Sequence, residues 1–459
     1  MKTTPIEQLV ASVHGTLYCG DSSTVVTSVS TDTRTIGAGS AFFALKGENF
    51  DAHDFLEKAV AAGAAAIVVE RVPEGVDFGS AAIVVVQDSL TALQSFAAWY
   101  IRQLDVEVVG ITGSNGKTST KDFTRAVLGE RFKVHSTKGN LNNHIGLPLS
   151  VLSAEEDDEV CVFEMGMNHP GEIAPLCQIA KPRIGIITNI GTAHIEYMGS
   201  REAIAEEKGA LARSLPADGV LVVSAACDYA DYFRDHTRAR IMVVGNGRGE
   251  IRAEELKMDS SGSEFMLVAD GEDAIRVKLP VVGRHMVANA LLAAGVGRTL
   301  GMNIQEIATG LNRASLTSGR LRFFESGGVT IFDDTYNANP ESMKAAIETL
   351  AELKVSGSAH RYVVLGKMGE LGVHVADAYR EVGSLAAERG ISVLSFGDDA
   401  RGISSAAAER GADAVHFNTI DAAADWLQST CASGDAVLFK GSRAAAMERV
   451  MDKAFPTNN

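Results

Sequence analysis

The sequence predicts an α/β protein of three domains: a small α/β N-terminal domain, a central P-loop ATPase-type parallel sheet, and a C-terminal Rossmann-like open sheet. Three observations carry this. A length of 459 residues suits about three domains of roughly 150 residues. β-Branched runs alternate with helix-length segments, the pattern of parallel sheets covered by helices on both faces. The stretch Val106–Thr120, VEVVGITGSNGKTST, reads as strand, phosphate-cradling loop and helix.

Residues 1–88 form the first unit. Short strands with polar, Gly-bearing turns fit TDTR (31–34), AFFALKG (41–47) and ENFDAHDF (48–55). Phe55–Ala65 then reads as a helix, and Ala66–Val69 and Ile83–Val86 as buried strands. The apolar segment Ser89–Ile101 is a helix leading into the second unit, 89–315. There the spacing predicts strands at Val160–Phe163 and Ile184–Ile187 and helices at Lys121–Leu128, Arg201–Leu215 and Met286–Leu300. Gly245-Asn246-Gly247-Arg248-Gly249 lacks the GxGxxG spacing of a dinucleotide fingerprint and reads as a turn before hairpin-like sequence. The third unit, 316–459, offers strands at Val329–Phe332, Tyr362–Leu365, Ser392–Phe396 and Ala436–Phe439, closed by a helix at Arg443–Met451. Such alternation is that of an open doubly wound sheet.

Composition narrows the function. With 46% hydrophobic and 22% charged residues the chain is an ordinary α/β composition. No apolar run reaches the ~18 residues of a membrane span, and MKTTPIEQLV has no basic-then-apolar leader. The five cysteines are scattered without CxxC, reading as reduced, mostly buried thiols of a cytoplasmic protein. A net charge of −16 argues against nucleic acid as partner. An anionic substrate must therefore be held by local cations and backbone donors.

Chemistry concentrates on Gly113-Ser114-Asn115-Gly116-Lys117-Thr118. Backbone N–H groups in such a loop converge on one concavity, and the following helix N-terminus adds positive potential. Lys117 would reach the terminal phosphates of ATP and Thr118 would ligate Mg²⁺. The full GxxxxGK[ST] pattern wants glycine at position 111, where this chain has Ile111. In an open parallel sheet, ligands sit beyond the carboxyl ends of the strands. Glu164 and His194 follow two such strands and are expected to converge on the metal. Read separately, Glu164 is equally a cap or a solvated carboxylate and His194 a satisfied loop histidine. Lys208, in AEEKG, reads as an ordinary surface lysine. Asn140–Gly146, NLNNHIG, suits either a tight ligand contact or an ordinary turn.

Taken together, GITGSNGKTSTK, STKGNLNNHIGLPLSVL, VFEMGMNHPGEI, NIGTAHIEYMGSREAIAEEKG, VGRHMVANALLAA, DDTYNANPESM, LGKMGELG and LFKGSRAAAMERV resemble the Mur ligase family, in its order along the chain. The resemblance implies ATP-dependent amide synthesis. The carboxylate of UDP-N-acetylmuramoyl-tripeptide attacks the γ-phosphate, and the amine of D-alanyl-D-alanine then attacks the acyl phosphate. It further implies that Gly113–Thr118 hold the phosphates, and that Thr118, Glu164 and His194 serve the metal. Lys117, His194 and Lys208 take catalytic roles, Lys208 matching a lysine that several relatives carry as a carbamate. Asn289, Arg320 and Asp334 meet the nucleotide. Thr33, Arg34, Lys46, Asn49 and His53 grip the UDP head, a folding role for Thr33 and His53 being as good a reading, and Asn142 and Asn143 also face the substrate. Lys440–Arg443 is an anion site or a helix cap. The chain is expected to act as a monomer. Tyr379 stands where relatives often have His, and Val373-His374-Val375 is unusual.

A sister ligase or a folylpolyglutamate synthetase is the nearest alternative. The third unit has no DNPR segment, which the diaminopimelate-adding sister typically carries. A GTPase switch would need an NKxD segment, and none occurs.

Overall fold

The computed structural model describes residues 1–456 except 260, 318, 354 and 356–358. Each predicted unit builds its own sheet. In the first, five strands run in the spatial order Thr16–Cys19, Ala82–Val85, Ala66–Val69, Ser40–Phe43 and Ser28–Ser30, with only Thr16–Cys19 antiparallel to its neighbour. The helix expected over Phe55–Ala65 is shorter. A 3₁₀ turn at Ala52–Phe55 precedes a helix at Leu56–Ala61, and Gly63 at φ +88° reverses the chain into the next strand.

The central sheet has nine strands, ordered Ile275–Leu279, Gly262–Ala269, Ile251–Asp259, Arg240–Asn246, Val220–Ser224, Ile184–Ile187, Glu107–Thr112, Val160–Glu164 and Val134–Ser136. From Val134–Ser136 across to Ile251–Asp259 the pairing is parallel. The last two pairings are antiparallel, so the wholly parallel sheet expected from alternation gains a hairpin extension beyond the Gly245–Gly249 turn. Gly262–Ala269 explains the change: buried and half-buried residues alternate along it, the mark of a strand packed on one face only. Buried continuous strands occupy the middle, where Glu107–Thr112 lies between Ile184–Ile187 and Val160–Glu164.

The third sheet is ordered Arg322–Ser326, Val329–Asp334, Ala436–Lys440, Arg361–Leu365, Ser392–Phe396 and Ala414–Phe417, all parallel except the first pairing. The final helix does not run over Arg443–Met451 as the sequence suggests. Ala446 adopts φ +48°, which separates a 3₁₀ turn at Arg443–Ala445 from a helix at Glu448–Ala454.

Candidate active site

The central strand Glu107–Thr112 ends at Gly113, and the following helix begins at Lys117, one turn earlier than its sequence pattern suggests. Two glycines make this possible. Gly113 has φ +147°, and a Cβ there would stand 1.8 Å from Thr188 Oγ1. Gly116 caps the helix at φ +78°, where a Cβ would meet the Asn289 side chain at 2.7 Å. Both positions therefore require glycine. A second loop braces the first. Ser114 N donates to Asn189 O at 3.0 Å, Asn115 N to Asn189 Oδ1 at 3.0 Å, and Gly191 N to Ser114 Oγ at 2.9 Å.

Lys117 donates to Gly113 O at 2.8 Å, and burial pushes its pKa below the usual lysine value. Thr118 Oγ1 donates to Glu164 Oε2 at 2.9 Å, and Asn142 Nδ2 donates to Glu164 Oε1 at 2.9 Å. Glu164 is the last residue of its strand and only 3% exposed. Its hydrogen-bonding side chains are thus neutral, and a buried carboxylate of this kind calls for a cation. The donors at hand are the Thr118 hydroxyl and the Glu164 carboxylate, both oxygen. That fits Mg²⁺, which keeps waters and phosphate oxygens and takes few protein ligands.

His194 is engaged by the third unit. Glu164 and His194 leave strands on opposite sides of the phosphate-loop strand, and among the described residues no hydrogen bond joins His194 to Thr118 or Glu164. Its Nδ1 lies 2.5 Å from Glu370 Oε2 of the third unit, and this contact holds the Glu370 carboxyl below its ordinary range. Lys208 corrects the surface reading of its sequence context. It is 1% exposed on the helix Arg201–Ser214, and burial, with the Lys117 charge nearby, drives its pKa well down.

The third unit docks onto this assembly. Asn339 Nδ2 donates to Asn115 Oδ1 at 2.7 Å. Glu341 Oε1 accepts from Thr192 N at 3.0 Å and from Thr192 Oγ1 at 2.8 Å. Arg320 lays its guanidinium over the Tyr336 ring at 4.2 Å, and its Nε is buried without a hydrogen-bond partner among the described residues. Asp334 Oδ2 is 2.5 Å from Lys440 Nζ, which also donates to Asn337 O at 2.9 Å. Lys440 is therefore committed to holding this turn, whereas the buried Ser442 hydroxyl beside it has no partner among the described residues.

The substrate-side candidates differ in their surroundings, and His53 takes the folding role that its sequence context equally allowed. His53 is 6% exposed, its Nδ1 bonded to Asp51 at 2.7 Å and its Nε2 accepting from Glu70 N at 3.0 Å, so both ring nitrogens serve the fold. Asn143 Oδ1 accepts from Gly146 N at 2.8 Å and fixes the start of a helix. Asn142 turns toward Glu164 rather than outward. Thr33 is half-buried, while Arg34, Lys46 and Asn49 lie on the surface of the first unit, Arg34 paired with Asp32. The sequence does not single out Asn339, Glu341 or Glu370, whose partners Asn115, Thr192 and His194 lie far along the chain.

A glycine-bounded strand-to-helix loop, a buried threonine–carboxylate pair beside it and a third α/β unit resting against that loop have the make-up of a nucleotide-dependent ligase site. The family models agree along the chain: Mur ligase family catalytic domain over 25–100, Mur ligase middle domain over 111–297, and Mur ligase glutamate ligase domain over 319–443. The chain belongs to the Mur ligase family. It is 36% identical to the UDP-N-acetylmuramoyl-tripeptide–D-alanyl-D-alanine ligase of Bacillus subtilis, covering 97% of both chains. It is similar to a crystal structure of MurF from Acinetobacter baumannii, with TM-score 0.90, 32% identity and 99% of each chain covered. The MurF ligase of Thermotoga maritima in complex with ADP matches with TM-score 0.84 and 29% identity, over 94% of this chain and 97% of that one.

Proposed function

We propose that this protein joins D-alanyl-D-alanine to UDP-N-acetylmuramoyl-tripeptide at the expense of ATP, releasing ADP and phosphate and supplying the pentapeptide precursor of peptidoglycan. The observation that carries the reading is the convergence of Asn115, Thr192, Asn339 and Glu341, by which the third unit seals the phosphate loop. Acyl phosphates hydrolyse in water, so a site that makes one benefits from such a cover.

Two anions, a carboxylate and a triphosphate, must meet in line. The N–H groups of Gly113–Gly116 and the Lys117 ammonium offset that repulsion. Thr118 and Glu164 would hold Mg²⁺, with Asn142 orienting the carboxylate; the ion supplies charge neutralisation at the γ-phosphate. A carboxylate oxygen of the tripeptide attacks the γ-phosphorus and ADP leaves. The dipeptide amine adds to the acyl carbon, loses a proton, and the tetrahedral adduct expels phosphate. Asn289, Arg320 and Asp334 would contact the nucleotide, and His194 with Glu370 would stand at the seam where the amine enters. Burial favours the neutral amine of Lys208, the form that adds CO₂ to give a carbamate. Thr33, Arg34, Lys46 and Asn49 would meet the UDP head.

Units 1–88, 89–315 and 316–459 act as the three domains. On this reading the enzyme is a cytoplasmic monomer. Among the described residues no helix is long and apolar enough to cross a membrane. The sister-ligase alternative is not favoured, since a relative at over a third identity along the whole chain carries the dipeptide ligase name. The test is product mass. Tripeptide, ATP, Mg²⁺ and D-alanyl-D-alanine should give the pentapeptide; a product only with a free amino acid would refute the reading.

A further inference from the structure

Outside the groups already given roles, the phosphate-loop helix carries a buried ion pair that the mechanism does not use. Lys121 and Asp122 are 4% and 8% exposed, with Lys121 Nζ 3.2 Å from Asp122 Oδ1. Lys121 Nζ also donates to Thr137 O at 3.0 Å, and Thr137 Oγ1 accepts from Glu164 N at 3.0 Å. The other oxygen of Asp122 leaves the central unit. Oδ2 accepts from Thr317 N at 2.8 Å and from Thr317 Oγ1 at 2.9 Å. Thr317 lies at the start of the third unit, three residues before Arg320.

Beyond Thr317 the chain is fixed on the other side. Tyr336 N donates to Gly319 O at 3.2 Å, Arg320 stacks on Tyr336, and Leu321 is 1% exposed at φ +51°. Thr317 is thus held by Asp122 of the central unit, and Gly319 by Tyr336 of the third. We propose that Asp122 is a positioning residue. It pins the linker to the phosphate-loop helix, so that closure of the third unit delivers Arg320 to the nucleotide in one register. The linker, the loop helix and Glu164 are then joined by one chain of hydrogen bonds. A buried carboxylate suits this task. Two hydrogen bonds from one residue and one ion pair from Lys121 fix its geometry, and each is stronger for its charge. This inference rests on the nucleotide role given to Arg320 above.

The test is a double-mutant cycle with a structural readout beside it. Asp122→Ala should lower kcat by about ten- to a hundredfold, the scale of a misplaced catalytic contact, while the Kd for ADP measured by calorimetry changes little. Thr317→Val, which keeps the N–H bond and the ion pair, should lose less and guards against a folding defect in Asp122→Ala. In an Arg320→Ala background Asp122→Ala should cost almost nothing further, because both changes remove the same interaction. Additive losses would overturn the proposal, as would an Asp122→Ala enzyme with undiminished turnover. Amide exchange across 314–321, followed in the full chain, does not depend on the reaction. It should quicken in Asp122→Ala, and unchanged protection there would also overturn the proposal. An inactive wild type would instead defeat the functional reading, leaving the exchange result to decide the anchor.

Discussion

Truncating Glu341 tests how firmly the third unit is held on the phosphate loop. Its Oε1 accepts from both the backbone and the hydroxyl of Thr192, two hydrogen bonds to a charged acceptor worth about 1.5 kcal/mol each or more. Against this, Oε2 is buried without a partner among the described residues, a burden of about 1–3 kcal/mol. The net preference for the docked arrangement is then about 0–2 kcal/mol, reaching roughly tenfold in an open–docked equilibrium toward its upper end. Glu341→Ala should lower kcat/KM for the dipeptide by up to about that factor. The Asn339–Asn115 bond would remain and keep the loss from growing larger. The assay is ADP release with the dipeptide varied at saturating ATP and tripeptide, paired with small-angle scattering of the ligand-bound enzyme. A loss of up to about tenfold with a larger radius of gyration fits the calculation. Unchanged kcat/KM together with unchanged dimensions would refute it, since the contact would then contribute nothing to docking.

Other outcomes follow from the same geometry. Lys117→Ala should lower turnover by about 10² or more, as loss of a preorganised charge contact does; near-wild-type turnover in a steady-state assay would mean the phosphate site is misplaced. Lys208→Ala should be inactive and regain activity with added short carboxylic acids, which can replace a carbamate; no loss, or no rescue, counts against the carbamate. His285, at the start of the helix Arg284–Thr299, has its pKa lowered by burial from 6.5 to about 4, with Asp334 raising it and Lys440 lowering it. A depressed histidine contributes stability that is present above pH 6.5 and lost as pH falls toward 4, because the unfolded chain binds the proton more readily in that window. The residue as a whole is half-buried, which scales the effect to on the order of 1–2 kcal/mol. His285→Gln should flatten that part of the pH–stability curve measured by denaturant unfolding.

The phosphate loop was legible because its backbone geometry demands particular residues: no other side chain fits at Gly113 or Gly116. Glu164 was legible from its place at a strand end. What the sequence concealed were contacts between distant segments. For His53 the sequence left a binding and a folding role equally open, and its partners, Asp51 and the remote Glu70 amide, are those of the fold. Lys208 sits among Glu206, Glu207 and Gly209, which hides it, although its spacing from Ile204 and Leu211, both fully buried, already puts it on the apolar face of the helix. Glu341 and Asn339 follow a helix-start pattern, and their second use, bridging to Thr192 and Asn115, has no local trace. The antiparallel end of the central sheet was half visible, in the turn at Gly245–Gly249 and the hairpin-like residues after it.

One labelling experiment reaches the centre of the account. Tripeptide carrying ¹⁸O in its terminal carboxylate is incubated with ATP, Mg²⁺ and D-alanyl-D-alanine, and the released phosphate is weighed by mass spectrometry. An acyl phosphate transfers one carboxylate oxygen to phosphorus, so the phosphate should carry one ¹⁸O for each pentapeptide formed. Unlabelled phosphate would mean that water attacks ATP directly, and label in AMP would mean that the carboxylate is adenylylated; either would contradict the account.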